Sequence, residues 1–161
     1  ISKVKGEFAD VQGTIEYDPA NPAASKVEAV IGVASIATRD EARDAHLKSA
    51  DFFDVEKFPS MTFVSTNVEV AGEGKLKVTG NFTIRDVTKS IVLDVDGPTS
   101  EIKDPWGVFR RAAAARTVIS RKDFGMTWNS LLETGGLLVG DKVEISLEIE
   151  MMAQTQSDSG N

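Results

Sequence analysis

The sequence predicts an all-β protein of short antiparallel strands, arranged as a meander, a barrel or a sandwich. Three observations support this fold class. Most of the chain alternates apolar and polar residues with a period of two, which gives each strand one buried and one wetted face. Proline and glycine residues that favour turns separate the alternating segments. Only residues 38–51 clearly lack the alternation.

The alternation is clearest in residues 76–85 and 143–151. In both segments apolar side chains occupy every second position and polar side chains lie between them, as in a strand with one face against a core. Weaker strand signals occupy Val11–Tyr17, Val27–Val33, Met61–Val70, Ser90–Asp96 and Arg116–Ser120.

Turn signals join these predicted strands. Proline fixes φ and glycine readily adopts positive φ, so both residues favour tight reversals of the chain. The signals are Asp18-Pro19, Asn21-Pro22, Gly72-Glu73-Gly74, Gly97-Pro98 and Gly135-Gly136.

The stretch without alternation predicts a short helix within Arg39–Ser49. Thr38 and Glu41 are three residues apart, the spacing of a capping box that satisfies free backbone amides at a helix start. Asp44 and Lys48 then lie one turn apart, where opposite charges stabilise a helix.

Length and charge limit the classes of function. The 161 residues suit one globular domain, which we assign to residues 1–152, with residues 153–161 as a disordered tail. A net charge of −7 disfavours nucleic acid and anionic lipid surfaces as partners. The chain has no cysteine, and no apolar stretch approaches the ~20 residues of a membrane-spanning helix.

Signals of catalysis are weak. His46 is the only histidine, and the sequence supplies no second catalytic group for it. Glu41, Asp44 and Asp51 lie near it in the chain but lack the pattern of a metal site. No nucleophile elbow, zinc-binding His-Glu-x-x-His or phosphate-binding loop occurs. The sequence therefore predicts no catalytic residue, no metal and no cofactor.

A locally basic stretch offers one route to ligand binding. Arginine side chains can hold phosphate or carboxylate oxygens in a fork, so an anionic head group could bind here. The alternative, a solvated strand face that balances nearby acids, is favoured by the pattern alone. The basic residues are Arg110, Arg111, Arg116, Arg121 and Lys122.

Aromatic residues offer a second route. They are numerous enough to line a deep apolar pocket, and equally numerous enough to fill a core. The pattern alone favours a filled core, because most apolar faces pack on each other. These residues are Phe52, Phe53, Phe58, Phe63, Phe82, Phe109, Phe124, Trp106 and Trp128.

Residues 43–59 closely resemble the signature of the YceI-like family of bacterial lipocalin-fold proteins. They read Arg-Asp-Ala-His-Leu-Lys-Ser-Ala-Asp-Phe-Phe-Asp-Val-Glu-Lys-Phe-Pro. Further segments match in the family's order and extend the resemblance to about Met151. These segments are Gly80–Thr88, Asp104–Gly107, Ser120–Gly125 and Leu138–Val143.

The resemblance implies an antiparallel lipocalin-like β-barrel of about eight strands with a short helical insertion. It also implies an elongated apolar channel, and so the non-catalytic binding, sequestration or transport of a polyisoprenoid, quinone or fatty-acid-like lipid. The alternatives are an enzyme that uses His46 as a general base on a lipid-like substrate, and a barrel without ligand. A periplasmic or secreted location is implied, although no signal peptide is visible and the cytoplasm stays open. Formation of a homodimer is also left open.

We assign candidate ligand contacts on this basis. Aromatic side chains are expected around the lipid tail, and three polar side chains near its head group. The tail set is Phe52, Phe53, Phe58, Phe82, Trp106, Phe124 and Trp128, and the head set is Arg43, His46 and Arg121.

Two departures from the family pattern matter. Family members usually begin with another strand ahead of the equivalent of Ile1–Val4, so we expect either a natural protein that begins upstream or a gap covered by another segment. Without that strand the barrel is expected to be open along one edge. Ala112 and Ala113 stand where the family commonly has glycine and a large apolar residue. Alanine at an inward position would widen the channel, so the ligand of other members does not transfer.

Overall fold

The structure is a computed structural model that describes residues 4–130 and 139–154. The described part contains one α-helix, α1 (Glu41–Lys48), and short 3-10 turns. The strands are β1 (Glu7–Phe8), β2 (Val11–Glu16), β3 (Lys26–Gly32), β4 (Ile36–Ala37), β5 (Ser60–Gly72), β6 (Lys75–Ile84), β7 (Val87–Asp96), β8 (Ile102–Lys103), β9 (Phe109–Ser120) and β10 (Lys142–Met152).

Eight strands form one antiparallel sheet, in the order β10-β9-β7-β6-β5-β3-β2 with β8 added to β9. Strands β1 and β4 pair separately as a short ribbon. The predicted all-β class, with one short helical insertion, is confirmed. The predicted domain boundary at residue 152 stays a prediction, and most of the predicted tail, like the Gly135-Gly136 turn, lies outside the described residues.

Strands β2 and β10 are the two ends of the sheet. Among the described residues, neither strand has a β-ladder partner on its outer side. Ile15 of β2 and Ile149 of β10 nevertheless line one pocket, so the sheet curls until its edges face each other. In the part of the chain that the structure describes, β2 and β10 are therefore the two edges that face each other, and the expected opening stays a prediction.

The inward faces of the strands follow the predicted alternation. In β6, Leu76, Val78, Phe82 and Ile84 are buried. In β10, the apolar side chains from Ile145 to Met151 are half-buried and the residues between them are exposed. Val143 departs from the pattern. It is an apolar residue but is 39% exposed, near the start of edge strand β10.

Helix α1 lies inside the predicted range, but its start differs from the prediction. Asp40 is the N-cap, and its carboxylate accepts from the Arg43 backbone N–H at 3.1 Å. Thr38 is buried and donates its hydroxyl to Asp44 Oδ1 at 2.5 Å. The capping box from Thr38 to Glu41 is therefore wrong, and Asp44 bonds to Thr38 instead of to a residue one turn further along the helix.

Candidate ligand-binding pocket

The interior of the curled sheet has one half that is filled with aromatic side chains. Phe52, Phe82 and Phe124 are buried there, and the rings of Phe82 and Phe124 meet edge to face with centroids 5.6 Å apart. Arg85 closes this half against the segment after α1, because its Nη1 donates to the Phe52 carbonyl at 3.3 Å. We call this half, with Phe52, Phe82 and Phe124, the filled end.

His46 belongs to an aromatic cluster at the filled end. Its ring meets Trp128 edge to face with centroids 4.5 Å apart, and Phe52 likewise at 5.0 Å. Its Nε2 lies 2.9 Å from Asp51 Oδ2, and the His46 side chain is 38% exposed. The cluster fixes the segment after α1 against the residues that follow β9, which is a packing role.

The opposite half of the interior contains an apolar pocket. Its cavity volume is about 60 Å³, it opens to solvent at its mouth, and β2, β3, β5, β6, β7, β9 and β10 all contribute to its wall. Twelve of the fourteen lining side chains are apolar, and the two others are Tyr17 and Ser25. We call this half the open end.

Two alanines of β9 help to keep this pocket empty. Ala113 and Ala115 point inward and line it, opposite Ile149 and Leu147 of β10 respectively. Alanine leaves empty the volume that a larger inward side chain would fill, and an unfilled apolar space has room for an apolar ligand. Ala113 thus faces inward, the condition on which the expected widening depends, whereas Ala112 is exposed.

Polar groups lie at the mouth of the pocket. Arg111 places its guanidinium over the ring of Tyr17, 5.3 Å from the ring centroid. Its Nη1 donates to the Thr99 carbonyl at 3.1 Å, and its Nη2 lies 3.8 Å from Glu101 Oε2. The Ser25 Oγ in the pocket wall is buried and has no hydrogen-bond partner in the described part of the chain.

The structure places the predicted ligand residues away from this pocket. None of the ten lines it, and most of them lie at the filled end. Phe53 packs edge to face on Phe8 with centroids 5.9 Å apart, and Phe58 is half-buried. That these residues contact a ligand stays a prediction, and the empty apolar space lies elsewhere.

Trp106 lies on the surface, outside the pocket wall. It was expected beside the lipid tail, but it is 84% exposed in the turn between β8 and β9. The turn is held by Asp104, whose Oδ1 accepts from the backbone N–H groups of Trp106 and Val108, both at 2.9 Å. This turn directs the indole away from the interior.

Arg121 lies inside the protein, outside the pocket wall. It was expected at the lipid head group, but the residue is only 3% exposed. Its guanidinium donates to the backbone carbonyls of Met126, Trp128, Val139 and Gly140 at 2.7 to 3.1 Å. These carbonyls occupy the fork that a ligand would need, so Arg121 holds the chain together.

Arg43 is also tied to the protein. Its Nε donates to the Thr38 hydroxyl and its Nη2 to the Thr38 carbonyl, both at 2.8 Å. Arg43, His46 and Arg121 therefore do not form a head-group site at the pocket mouth. Sequence parity could have found the pocket wall, because Ile15, Val78 and Ile149 all occupy inward positions of their strands.

Asp104 and Asp141 are among the carboxyl groups with lowered pKa values. A hydrogen bond from Arg110 is the main cause for Asp104, with backbone N–H bonds adding to it, and together they hold its pKa below the usual range. For Asp141, the main cause of the lowered pKa is the hydroxyl of Ser120. Both groups belong to turns and lie outside the pocket wall.

Helices that could span a membrane and clusters that could bind a metal are both absent from the described residues. In residues 4–130 and 139–154, no helix is long and apolar enough to cross a membrane. The same ranges hold no group of three or more His, Cys, Asp or Glu side chains placed to bind a metal ion. That the protein works without a metal stays a prediction.

A model of the YceI-like domain matches residues 1–151 of this chain. The chain belongs to the YceI-like family. A UPF0312 protein of Shewanella sp. (strain ANA-3) is 39% identical over 125 residues, which are 78% of this chain and 65% of that protein. A UPF0312 protein of Ectopseudomonas mendocina is 42% identical over 122 residues, which are 76% of this chain and 63% of that protein. This YceI-like chain thus spans less than two thirds of those relatives.

Solved structures share the YceI-like fold. The YCEI protein of Campylobacter jejuni is 32% identical, with a TM-score of 0.81 over 96% of this chain and 88% of its own. A polyisoprenoid binding domain from Saccharophagus degradans is 15% identical, with a TM-score of 0.60 over 92% of this chain and 85% of its own. The second likeness concerns the fold alone.

Proposed function

We propose that this protein binds the long apolar tail of an amphiphilic lipid in the pocket at the open end, and that it sequesters or carries the lipid without transforming it. The observation that carries the proposal is the empty pocket with twelve apolar side chains in its wall. The ligand class is a polyisoprenoid, a quinone or a fatty-acid-like lipid. The name of the Saccharophagus degradans neighbour, a polyisoprenoid binding domain, supports the isoprenoid choice.

Burial of the tail supplies the binding energy. Each CH₂ group removed from water contributes about 0.8 kcal/mol, which is about fourfold in Kd. One five-carbon isoprene unit contributes about 3 to 4 kcal/mol before the cost of ordering the chain. Kd should therefore fall with each added unit until the pocket is full, and then level off.

The enzyme alternative gains no support from the position of His46. Its Nε2 faces Asp51, and its ring is packed between Trp128 and Phe52 at the filled end. A general base must reach the group whose proton it takes. His46 does not line the open-end pocket, so a lipid held there would not meet it.

Filling the pocket tests the proposal. Ala113→Leu puts a larger side chain into the pocket, while Ala114→Leu adds the same atoms to the exposed face of β9. We expect geranylgeraniol to raise the melting temperature of the wild type and of Ala114→Leu, because a ligand of the folded state stabilises it. Titration calorimetry should show Kd raised about tenfold or more for Ala113→Leu.

Geranylgeraniol has no charged head group, so its affinity reports on burial of the tail. If Ala113→Leu binds geranylgeraniol as tightly as Ala114→Leu does, the tail does not occupy this pocket and the proposal is wrong. Loss of fold is checked in the same samples, because a leucine that fills a void should leave the melting temperature of the free protein unchanged or raised.

A further inference from the structure

We propose that Arg111, stacked on Tyr17, binds the anionic head group of the lipid, a carboxylate or phosphate, at the mouth of the open-end pocket. This inference rests on the proposed function. It adds the chemical class of the head group and assigns a residue to it.

Strand parity points Arg111 toward the interior. Along β9, Ala113 and Ala115 line the pocket, and Arg111 occupies the next position of the same face. Its register partner on β10 is Met151, which also lines the pocket. The Arg111 side chain is 21% exposed, so its charge lies at the boundary between the apolar wall and water.

The Arg111 guanidinium is held in place and still has N–H donors that bond to no described residue. The Tyr17 ring lies under it, and Nη1 donates to the Thr99 carbonyl at 3.1 Å. Within the part of the chain that the structure describes, this is its one hydrogen bond, because Glu101 Oε2 at 3.8 Å is too distant. A guanidinium carries several N–H donors in a planar fork that fits a carboxylate or phosphate.

The other members of the basic stretch are occupied or face elsewhere. Arg110 pairs with Asp104 at 2.8 Å and with Glu150 at 2.7 Å. Arg116 is on the exposed face of β9, and Arg121 bonds to backbone carbonyls. Arg111 is thus the arginine of this stretch that stands beside the pocket.

Glu101 competes with a ligand for Arg111. Its carboxylate, 43% exposed, is the acid 3.8 Å from the guanidinium. An anionic head group at the mouth would displace this loose contact and be repelled by the same charge. Removal of the Glu101 charge should therefore strengthen the binding of an anionic lipid.

Ser25 supplies a second polar contact in the wall. Its Oγ is buried without a hydrogen-bond partner among the described residues, although buried polar atoms are nearly always paired. A head-group oxygen that enters beside Tyr17 would give this hydroxyl an acceptor. The mouth thus offers one cation and one neutral donor.

The test compares two lipids with the same tail. Oleic acid and oleyl alcohol are titrated by calorimetry at mildly alkaline pH, below their aggregation concentrations, into the full chain and its variants. We expect Arg111→Gln to raise the Kd for oleate about tenfold or more and to leave the Kd for oleyl alcohol within about twofold. Arg116→Gln removes the same charge from the outer face and should leave both values nearly unchanged.

Glu101→Gln keeps the test independent of folding defects. It should lower the Kd for oleate and leave the Kd for oleyl alcohol unchanged. Damage to the fold would not produce such a selective gain in affinity. If Arg111→Gln weakens the binding of both lipids equally, or of neither, the proposed head-group site is wrong, while tail binding stands. If the wild type binds neither lipid, the proposed function fails and the head-group site fails with it.

Discussion

Two arginines that are ten residues apart in the chain show how neighbours decide the role of a side chain. Arg121 meets four backbone carbonyls and is 3% exposed, so its charge is used inside the fold. Arg111 meets one carbonyl and an aromatic ring at a pocket mouth. From the sequence alone, Arg111 and Arg121 lie in the same basic stretch and are equally able to bind an anion.

Loss of Arg121 should therefore damage stability. Arg121→Met leaves backbone carbonyls without donors in a buried site, and an unpaired buried polar group costs about 1–3 kcal/mol. We expect the free energy of unfolding, measured by urea denaturation, to fall by about 3 kcal/mol or more. Lys122→Met removes an exposed charge next in the chain and serves as the control. If the free energy of unfolding of Arg121→Met falls by less than about 1 kcal/mol, these hydrogen bonds contribute little.

Asp104 should make the stability of the fold depend on pH in the acidic range. Its pKa is lowered in the folded protein, chiefly by the hydrogen bond from Arg110. A carboxyl with a lowered folded pKa stabilises the fold above its unfolded pKa of about 3.9, and this contribution is lost as the pH falls through the lower, folded value. The melting temperature of Asp104→Asn should lie below that of the wild type at neutral pH.

The two melting curves should converge in acid, because protonation removes the ionic advantage from the wild type as well. Asp86→Asn, in the exposed turn between β6 and β7, is the matched control. A constant difference between Asp104→Asn and wild type from neutral pH down to strong acid would contradict this account.

At the scale of elements, alternation predicted most strands because inward and outward residues differ in polarity. Strand β9 was predicted only from Arg116, whereas it begins at Phe109. Its alanine run hides the alternation, because alanine is tolerated on both faces. The residues of the pocket wall were not assigned for the same reason. The emptiness of the pocket comes from the small size of Ala113 and Ala115, and polarity patterns do not register size.

The predicted aromatic contacts differ from the pocket wall for a related physical reason. Large rings fill space, and Phe52, Phe82 and Phe124 fill the end of the interior beside α1. The family resemblance indicated a cavity but not which end of the strands holds it. That assignment needs the packing of side chains from distant parts of the chain.

The start of α1 gives an element-scale prediction. Asp40→Ala removes the side chain that caps the Arg43 backbone N–H, and loss of such a cap costs about 1 kcal/mol. Glu41→Ala, at the position assigned by the sequence to a capping box, should cost less than Asp40→Ala. Urea denaturation of both variants distinguishes them. A larger loss for Glu41→Ala would restore the capping box.

At the scale of the whole molecule, the sheet has a stable centre and two open edges. Strands β5, β6 and β7 are each paired on both sides, whereas β2 and β10 are paired on one side among the described residues. The pocket wall includes both edge strands, through Ile15 and Ile149. The pocket is therefore built partly from the least constrained strands.

Hydrogen exchange should show this division. Amides of β6 should exchange most slowly in the 161-residue chain, and the outward-directed amides of β2 and β10 most quickly among the long strands. A bound lipid should slow exchange in β2 and β10 more than in β6, because it joins the two edges through the pocket. Uniform protection of all strands in the free protein would contradict the open-edged sheet.

The central claim is that the lipid tail occupies the open end and not the aromatic end. Intermolecular nuclear Overhauser effects from unlabelled geranylgeraniol to isotope-labelled methyl groups of the protein test it directly. We predict contacts to Leu76, Val78 and Ile149, which line the pocket, and none to Val33 or Ile84, which are buried outside its wall. Contacts confined to Val33 and Ile84, or no contacts at saturating lipid, would contradict the account.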